Sequence, residues 1–204
     1  MPKTDFKKVL KHLYRASAKR IAVVEVPPLN FLMVDGRGDP NTSPEYAQAL
    51  EALYAVAYAL KFSVKRSRGV DYVVMPLEGL WWTDDPAHFD MDHREAWNWT
   101  AMIMQPEYVT EEMYEEVVAE VRRKKALGAL DRMRLETYHE GLSVQVLHVG
   151  PYAAEGPTIA RLHDYIREQG YRPNGKHHEI YLSDPRRTAP ERLKTILRQP
   201  VRRG

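Results

Sequence analysis

The order of apolar segments predicts an α+β fold. Two βαββ units lie in tandem, related by a pseudo-twofold axis, with an antiparallel sheet, helices on one side and a ligand cleft between the halves. Three observations predict it. Residues 20–106 run strand, helix, strand, strand, and residues 142–201 repeat that order. The two runs also end alike, in Ala101-Met102-Ile103-Met104-Gln105-Pro106 and Thr195-Ile196-Leu197-Arg198-Gln199-Pro200. Self-similarity of this kind is the signature of a duplicated unit. Residues 107–141, with a helix of their own, read as the link between the units, so the 204 residues form one domain.

The elements follow in chain order. Residues 4–14 read as a short amphipathic helix. Val23, Val24 and Val26, then Phe31 to Val34, are strand-like, and Pro27-Pro28 separates them into two pieces. A turn cluster at 36–41 leads to Ser43-Pro44, a hydroxyl N-cap followed by proline at the first helical position. Ala47, Leu50, Leu53, Tyr54, Ala57 and Leu60 mark one face of a helix that should end near residue 62. Asp71 to Trp82 reads as extended, 83–95 as a loop, and Trp97 to Gln105 as extended again. Thr110 opens a helix whose start is acidic and whose end is basic, as the helix dipole favours. In the second unit Ser143–Val149 is a strand, Thr158–Gln169 a helix that Gly170 can end, and His177–Ser183 and Leu193–Gln199 are strands.

Composition excludes several classes. The chain has no cysteine, hence no disulfide framework, thiolate metal site or thiol nucleophile. A net charge of +2 gives no general attraction to nucleic acid. Both ends are basic, but no helix-turn-helix, zinc-finger or RNA-binding pattern accompanies them, and direct nucleic-acid binding is not expected. The first residues carry no apolar signal region, and no segment approaches membrane-span length. A cytoplasmic protein with no membrane association is the expectation.

Strand alternation groups the candidate site residues. His177, Glu179, Tyr181 and Ser183 share one face, with His178, Ile180 and Leu182 on the other. Tyr72, Val74, Pro76, Glu78, Leu80 and Trp82 share a face, as do Trp97, Trp99, Ala101 and Ile103. All four tryptophans, Trp81, Trp82, Trp97 and Trp99, therefore fall on two neighbouring extended segments, where their flat area suits stacking on a ligand. With Glu78 on the same sheet they outline an aromatic cleft holding a carboxylate. Glu78, Glu155 and Glu179 are the candidate carboxylates. Buried, such a group serves as acid or base near neutral pH; ionised, it attracts a cationic ligand. Glu155 could instead cap the helix that follows it.

Other motifs carry less. His177-His178-Glu179 resembles a metal cluster, but adjacent strand residues point to opposite faces, and no metal or cofactor is expected. Gly36-Arg37-Gly38 lacks the third glycine of a dinucleotide loop, and there is no Gly-x-Ser-x-Gly elbow.

FLMVDGRGDPN (31–41), DYVVMPLEGLWW (71–82), WNWTAMIMQP (97–106), LHVGPYAAEGPT (147–158) and KHHEIYLSDPRR (176–187) together resemble the stand-alone GyrI-like proteins. The resemblance spans residues 5–201 and implies two SHS2 modules with a ligand cleft between them. Relatives include gyrase-inhibitory proteins and the effector-binding domains of multidrug-sensing regulators, whose central glutamate matches Glu179 here. This chain carries no DNA-binding domain beside these blocks. Some stand-alone members resembling it are hydrolases that open the cyclopropane of DNA-alkylating antibiotics and protect against them. The resemblance thus implies a flat polyaromatic ligand stacked among Trp81, Trp82, Trp97, Trp99 and Tyr181. Glu179 and Glu155 would share water activation, and Tyr152 or Tyr181 would donate a proton. The alternatives are a non-catalytic drug-sequestering module, a gyrase partner, for which no residue speaks, or a nucleic-acid binder using the basic ends.

Overall fold

The structure, a computed structural model, describes residues 3–84 and 93–204. The chain opens with a short strand, β1 (Lys3–Thr4), and two single-turn helices, α1 (Phe6–Val9) and α2 (Lys11–Tyr14). The helix expected over 4–14 is thus broken at Leu10, whose backbone leaves the helical region. Pro27 and Pro28 part β2 (Ala22–Val26) from β3 (Leu29–Arg37). The long helix α3 (Pro44–Arg68) starts where predicted, with the Ser43 hydroxyl accepting from Tyr46 N. It runs beyond residue 62, burying Val64, and stops at Gly69, whose φ of 66° is the left-handed conformation glycine tolerates. The extended stretch after it is two strands, β4 (Asp71–Tyr72) and β5 (Leu77–Trp82), interrupted around Pro76.

β6 (Asn98–Gln105) and α4 (Glu111–Lys124) follow, the latter capped by Thr110. The expected loop 83–95 ends in a 3-10 turn at Arg94–Ala96, and its residues 85–92 lie outside the described residues. The link contains a strand that was not expected, β7 (Met133–Tyr138). The remaining elements are β8 (Gly141–Val149), α5 (Gly156–Glu168), β9 (Tyr171–Pro173), β10 (His177–Tyr181) and β11 (Lys194–Arg203).

Among the described residues the main sheet runs β2-β8-β11-β10-β5-β6-β3-β7, with β9 pairing the far end of β11 and every one of these pairs antiparallel. The order is symmetric about the β10–β5 pair. One half is β3-α3-β5-β6 and the other β8-α5-β10-β11. The outermost strands are exchanged: β2 precedes the first half but pairs β8, and β7 precedes the second half but pairs β3. Each half therefore closes the edge of the other, which ties them into one cooperative sheet.

Both long helices cover the same face. α3 lays Ala49, Leu53, Val56, Ala57 and Leu60 on the first half, all fully buried. α5 lays Leu162 and Ile166 on Val144, Val146 and Leu197 of the second. Between α3 and α5 the central strands β5 and β10 are the floor of a cleft. On the opposite face, α2 delivers Leu13 and Tyr14 to the sheet, both buried.

Candidate functional site

The central pairing sets what each face presents. β10 and β5 align Glu179 with Gly79, His177 with Trp81 and Ile180 with Glu78. Paired residues in an antiparallel sheet point the same way. Gly79, Trp81, His177, Glu179 and Tyr181 therefore face the helices, while Glu78, His178 and Ile180 face away. Gly79 has no side chain to lift the floor; a Cβ there would come within 2.7 Å of Trp81 Nε1.

The cleft has a volume of about 1160 Å³. Trp81, Trp97, Tyr152, Glu155, Glu179 and Tyr181 line it, together with Tyr46, Leu50, Tyr54 and Tyr58 from α3. The α3 residues recur every four positions, one stripe about 18 Å long at the rise of an α-helix. Ring contacts order the aromatic wall: Tyr46 packs against Trp81 at 5.7 Å, Trp81 against Trp97 at 5.6 Å, and Tyr152 against Tyr181 at 5.6 Å between centroids. The Arg94 guanidinium lies 5.7 Å over the Trp97 ring.

Tyr181 holds the floor together. Its hydroxyl accepts from Trp81 Nε1 at 3.1 Å and donates to Glu179 Oε2 at 2.7 Å. Burial first, then the charge of Glu179, raise the Tyr181 phenol well above its ordinary value, so it stays a donor. Glu155 arrives from the other wall, where a 3-10 turn at Tyr152–Ala154 leads into α5. It stands at the N-cap position but makes no capping hydrogen bond with its side chain. It is 2% exposed, and its Oε1 has no hydrogen-bond partner. Burial first, and the charge of Glu179 second, raise Glu155 to about 9, against the smaller pull of Thr195 and Arg94. Tyr152 is pushed up to about 12 by burial, then by Glu155 and Glu179. The cleft thus presents a carboxyl whose neutral form burial favours, Glu155, near a second carboxyl, Glu179, that accepts from a tyrosine.

The structure places three expected residues elsewhere. Glu78 and Trp82 do share a face, but it is the face away from the cleft, because Gly79 and Trp81 are the residues in register with Glu179 and His177. Lys176 Nζ sits 3.4 Å over the Trp82 ring there. Trp99 is on the cleft side but fully buried beneath Tyr46, in edge contact at 5.0 Å, and a Cβ on Gly36 would meet its indole at 2.2 Å.

Beneath the floor Glu78 joins a buried ionic network. Tyr14 donates to Glu78 Oε1 at 2.7 Å, and His178 lies 2.9 Å from both Glu78 Oε2 and Glu140 Oε1. Arg198 donates to Glu140 at 3.0 Å, to Gln145 at 3.0 Å and to the Leu13 carbonyl at 2.6 Å. With an acceptor at each ring nitrogen, His178 carries both protons. Sequence reasoning missed Tyr46, Tyr54 and Tyr58, whose i, i+4 spacing was legible, and missed Glu140 and Arg198, for which no local signal exists. Among the described residues no group of three His, Cys, Asp or Glu side chains is placed to hold a metal.

The model of the GyrI-like small molecule binding domain matches residues 20–202. The chain belongs to the GyrI-like family. Solved GyrI-like neighbours bear this out along the whole chain. It is 44% identical to an uncharacterized conserved protein from Listeria innocua, with a TM-score of 0.91, covering 98% of this chain and 100% of that one. It is 42% identical to a hydrolase from Listeria innocua, TM-score 0.88, again covering 98% and 100%. The EcmrR C-terminal domain, 11% identical with a TM-score of 0.58 over 91% of this chain and 98% of that one, shares the fold. No functionally curated protein matches the chain. No helix among the described residues is long and apolar enough to cross a membrane.

Proposed function

We propose that this GyrI-like protein binds flat, apolar polyaromatic molecules in its Trp- and Tyr-lined cleft and hydrolyses those that carry a strained cyclopropane. The observation that carries this reading is the pair of unlike carboxyl groups: Glu155, buried and raised to about 9, beside Glu179, which accepts from Tyr181. A buried carboxyl raised in this way can serve as an acid near neutral pH, and the second carboxyl, tethered by Tyr181, is the base of the proposed pair. The 42%-identical hydrolase from Listeria innocua supports the reaction class.

In the proposed step Glu179 takes a proton from a water molecule as the water oxygen bonds to the cyclopropane methylene. The ring C–C bond breaks, and its electron pair flows into the conjugated dienone. The former carbonyl oxygen becomes a phenol by taking the Glu155 proton. Water is added across the broken bond, and one proton moves from Glu179 to Glu155 through solvent to reset the pair. Tyr181 holds Glu179 through its hydroxyl, and Tyr152, in ring contact with Tyr181, flanks the ring system with it. Ring strain and rearomatisation drive the step, so acid–base help of ordinary size suffices. For an organism exposed to DNA-alkylating cyclopropanes the result is protection.

Incubation with a cyclopropaindole and mass spectrometry of the products tests this. A water adduct above the buffer control is expected, with loss in Glu179→Gln and Glu155→Gln. Tight binding with no adduct would leave the protein as a sequestering module instead.

A further inference from the structure

β8 ends in an elbow built over one histidine. Alternation along β8 turns His148 to the same face as Val144 and Val146, which pack under α5. The register sets it across from Thr195, which is itself across from Tyr181, so this row of side chains runs toward the cleft floor. After Val149 the chain folds back over the His148 ring. Gly150 allows the fold: its φ is 143°, and a Cβ there would stand 3.2 Å from His148 Nε2. The buried ring then bonds the returning chain at two points. Its Nε2 lies 3.3 Å from the Pro151 carbonyl oxygen and its Nδ1 3.0 Å from the Thr158 hydroxyl. A carbonyl can only accept, so Nε2 carries a proton, and in the neutral ring Nδ1 accepts from Thr158.

Pro151 and Thr158 bracket the turn that carries Tyr152 and Glu155. Along that turn Ala153, Ala154, Gly156 and Pro157 are exposed, and Glu155 is buried. Glu155 thus hangs inward from a surface turn, and how deep it reaches depends on how closely the turn is drawn to the sheet. We propose that His148 is a positioning residue that draws the 151–158 turn onto the sheet, and so holds Glu155 in the cleft and Tyr152 against Tyr181. This rests on the reading of Glu155 as the acid of the cleft.

The other bonds of the turn favour that role. Ala154 N donates to the Pro151 carbonyl, Glu155 N to that of Tyr152 and Thr158 N to that of Glu155, which shapes the turn without tying it to the sheet. Gly150 N donates to Leu193 O at 3.0 Å, which fixes where the turn begins. The Glu155 side chain makes no capping bond of its own. The burial that raises Glu155 is therefore a reporter of where the turn sits. A supporting residue of this kind commonly decides whether a reacting group is in productive geometry.

The test is the titration of Glu155 in ligand-free protein, followed by ¹³C NMR of labelled glutamate and assigned through Glu155→Gln. The wild-type midpoint should lie far above the ordinary carboxylate value, at about 9. His148→Leu removes both bonds to the turn and Thr158→Val removes one. Each should lower the midpoint by at least about one pH unit, because the carboxyl gains water. Thr158→Ser keeps the hydroxyl and should titrate like wild type. Glu179, Thr195, Arg94 and Tyr152, the groups that act on Glu155 or feel its charge, stay in place in all three variants. Thr158→Val changes no ionisable group, so its effect is not one of charge, and it decides the matter if His148→Leu does not fold. An ordinary midpoint in wild type, an unchanged one in Thr158→Val, or the same fall in Thr158→Ser would overturn the proposal.

Cyclopropaindole turnover is scored separately. In Thr158→Val kcat should fall at least about tenfold, the cost of a slightly misplaced acid, and recover in Thr158→Ser. The alkaline limb of its pH–rate profile should move down with the Glu155 midpoint. Absence of turnover in wild type removes the hydrolytic reading and leaves the titrations to decide the role of His148.

Discussion

His178 Nε2 lies 2.9 Å from Glu78 Oε2, joining the two central strands where the halves of the molecule meet. Both side chains are essentially without solvent contact. Burial alone would lower the imidazole, but Glu140 and then Glu78 raise it to about 9. For Glu140, burial pushes upward, but His178 and Arg198 bring it to about 2. The network couples the seam of the sheet to Leu13 and Tyr14 of the opening segment.

The seam should make folding stability fall at alkaline pH. An unfolded histidine titrates at about 6.5. His178, raised in the fold, contributes fully below that value, and its contribution disappears as pH rises through about 9. Glu140, depressed in the fold, contributes above the ordinary carboxylate value, and its contribution is lost as pH falls through about 2. Urea melts at pH 6, 8 and 9.5 should show the alkaline loss. His178→Leu, which leaves two buried carboxylates facing each other, should cost roughly 3–5 kcal/mol at pH 6.

Much of this architecture is legible in the sequence, and the gaps have physical causes. Ser43-Pro44 and Thr110 mark helix starts because capping is local. The repeat was readable because both halves keep the order strand, helix, strand, strand. The expected link also holds a strand, at 133–138, where Met133, Leu135 and Thr137 alternate with polar residues but border no strong turn signal. The site divides the same way. Alternation groups Glu179 with Tyr181, and Glu78 with Trp82, correctly. Which group meets the helices depends on the register of β5 against β10, a long-range fact that no local pattern contains. Glu140 and Arg198 joining His178 from distant parts of the chain is invisible for the same reason.

Glu155→Gln should stabilise the protein while removing its acid. Glu155 is raised to about 9 in the fold, so the protonated form is favoured there. Its contribution is complete below the ordinary carboxylate value and is lost progressively as pH rises toward 9. A neutral glutamine escapes that loss. At pH 8 the variant should be more stable than wild type by about 1 kcal/mol or more in urea titrations, whereas at pH 4.5 the two should be nearly equal. A gain in stability paired with loss of turnover is the pattern of a strained functional group.

Gly79→Ala should loosen the cleft floor. The new Cβ would lie 2.7 Å from Trp81 Nε1, so the indole must shift and its hydrogen bond to Tyr181 must lengthen or break. A cost of roughly 1–3 kcal/mol is expected from overpacking. Weaker dye binding should accompany it, read from Trp fluorescence. Gly36→Ala is the control: its Cβ would strike Trp99 at 2.2 Å, away from the ligand surface. That variant should lose stability, and its dye affinity per folded molecule should remain.

Trp81→Phe and Trp82→Phe, adjacent substitutions of the same kind, should separate the two faces of β5. Trp81 lines the cleft, packs between Tyr46 and Trp97, and donates to Tyr181. Phenylalanine keeps a ring there but removes the N–H and part of the stacking area. Tyr181 then loses one of its two tethers, and Glu179 is held less firmly through it. Affinity for a planar dye should fall by about tenfold, the combined effect of one hydrogen bond and lost aromatic contact. Trp82 lies on the other face under Lys176, so Trp82→Phe should change dye affinity less than about twofold and act through its cation–π contact, about 0.5–1 kcal/mol. Isothermal calorimetry on the two variants decides the matter: equal losses would mean that the ligand does not occupy the face that carries Glu179.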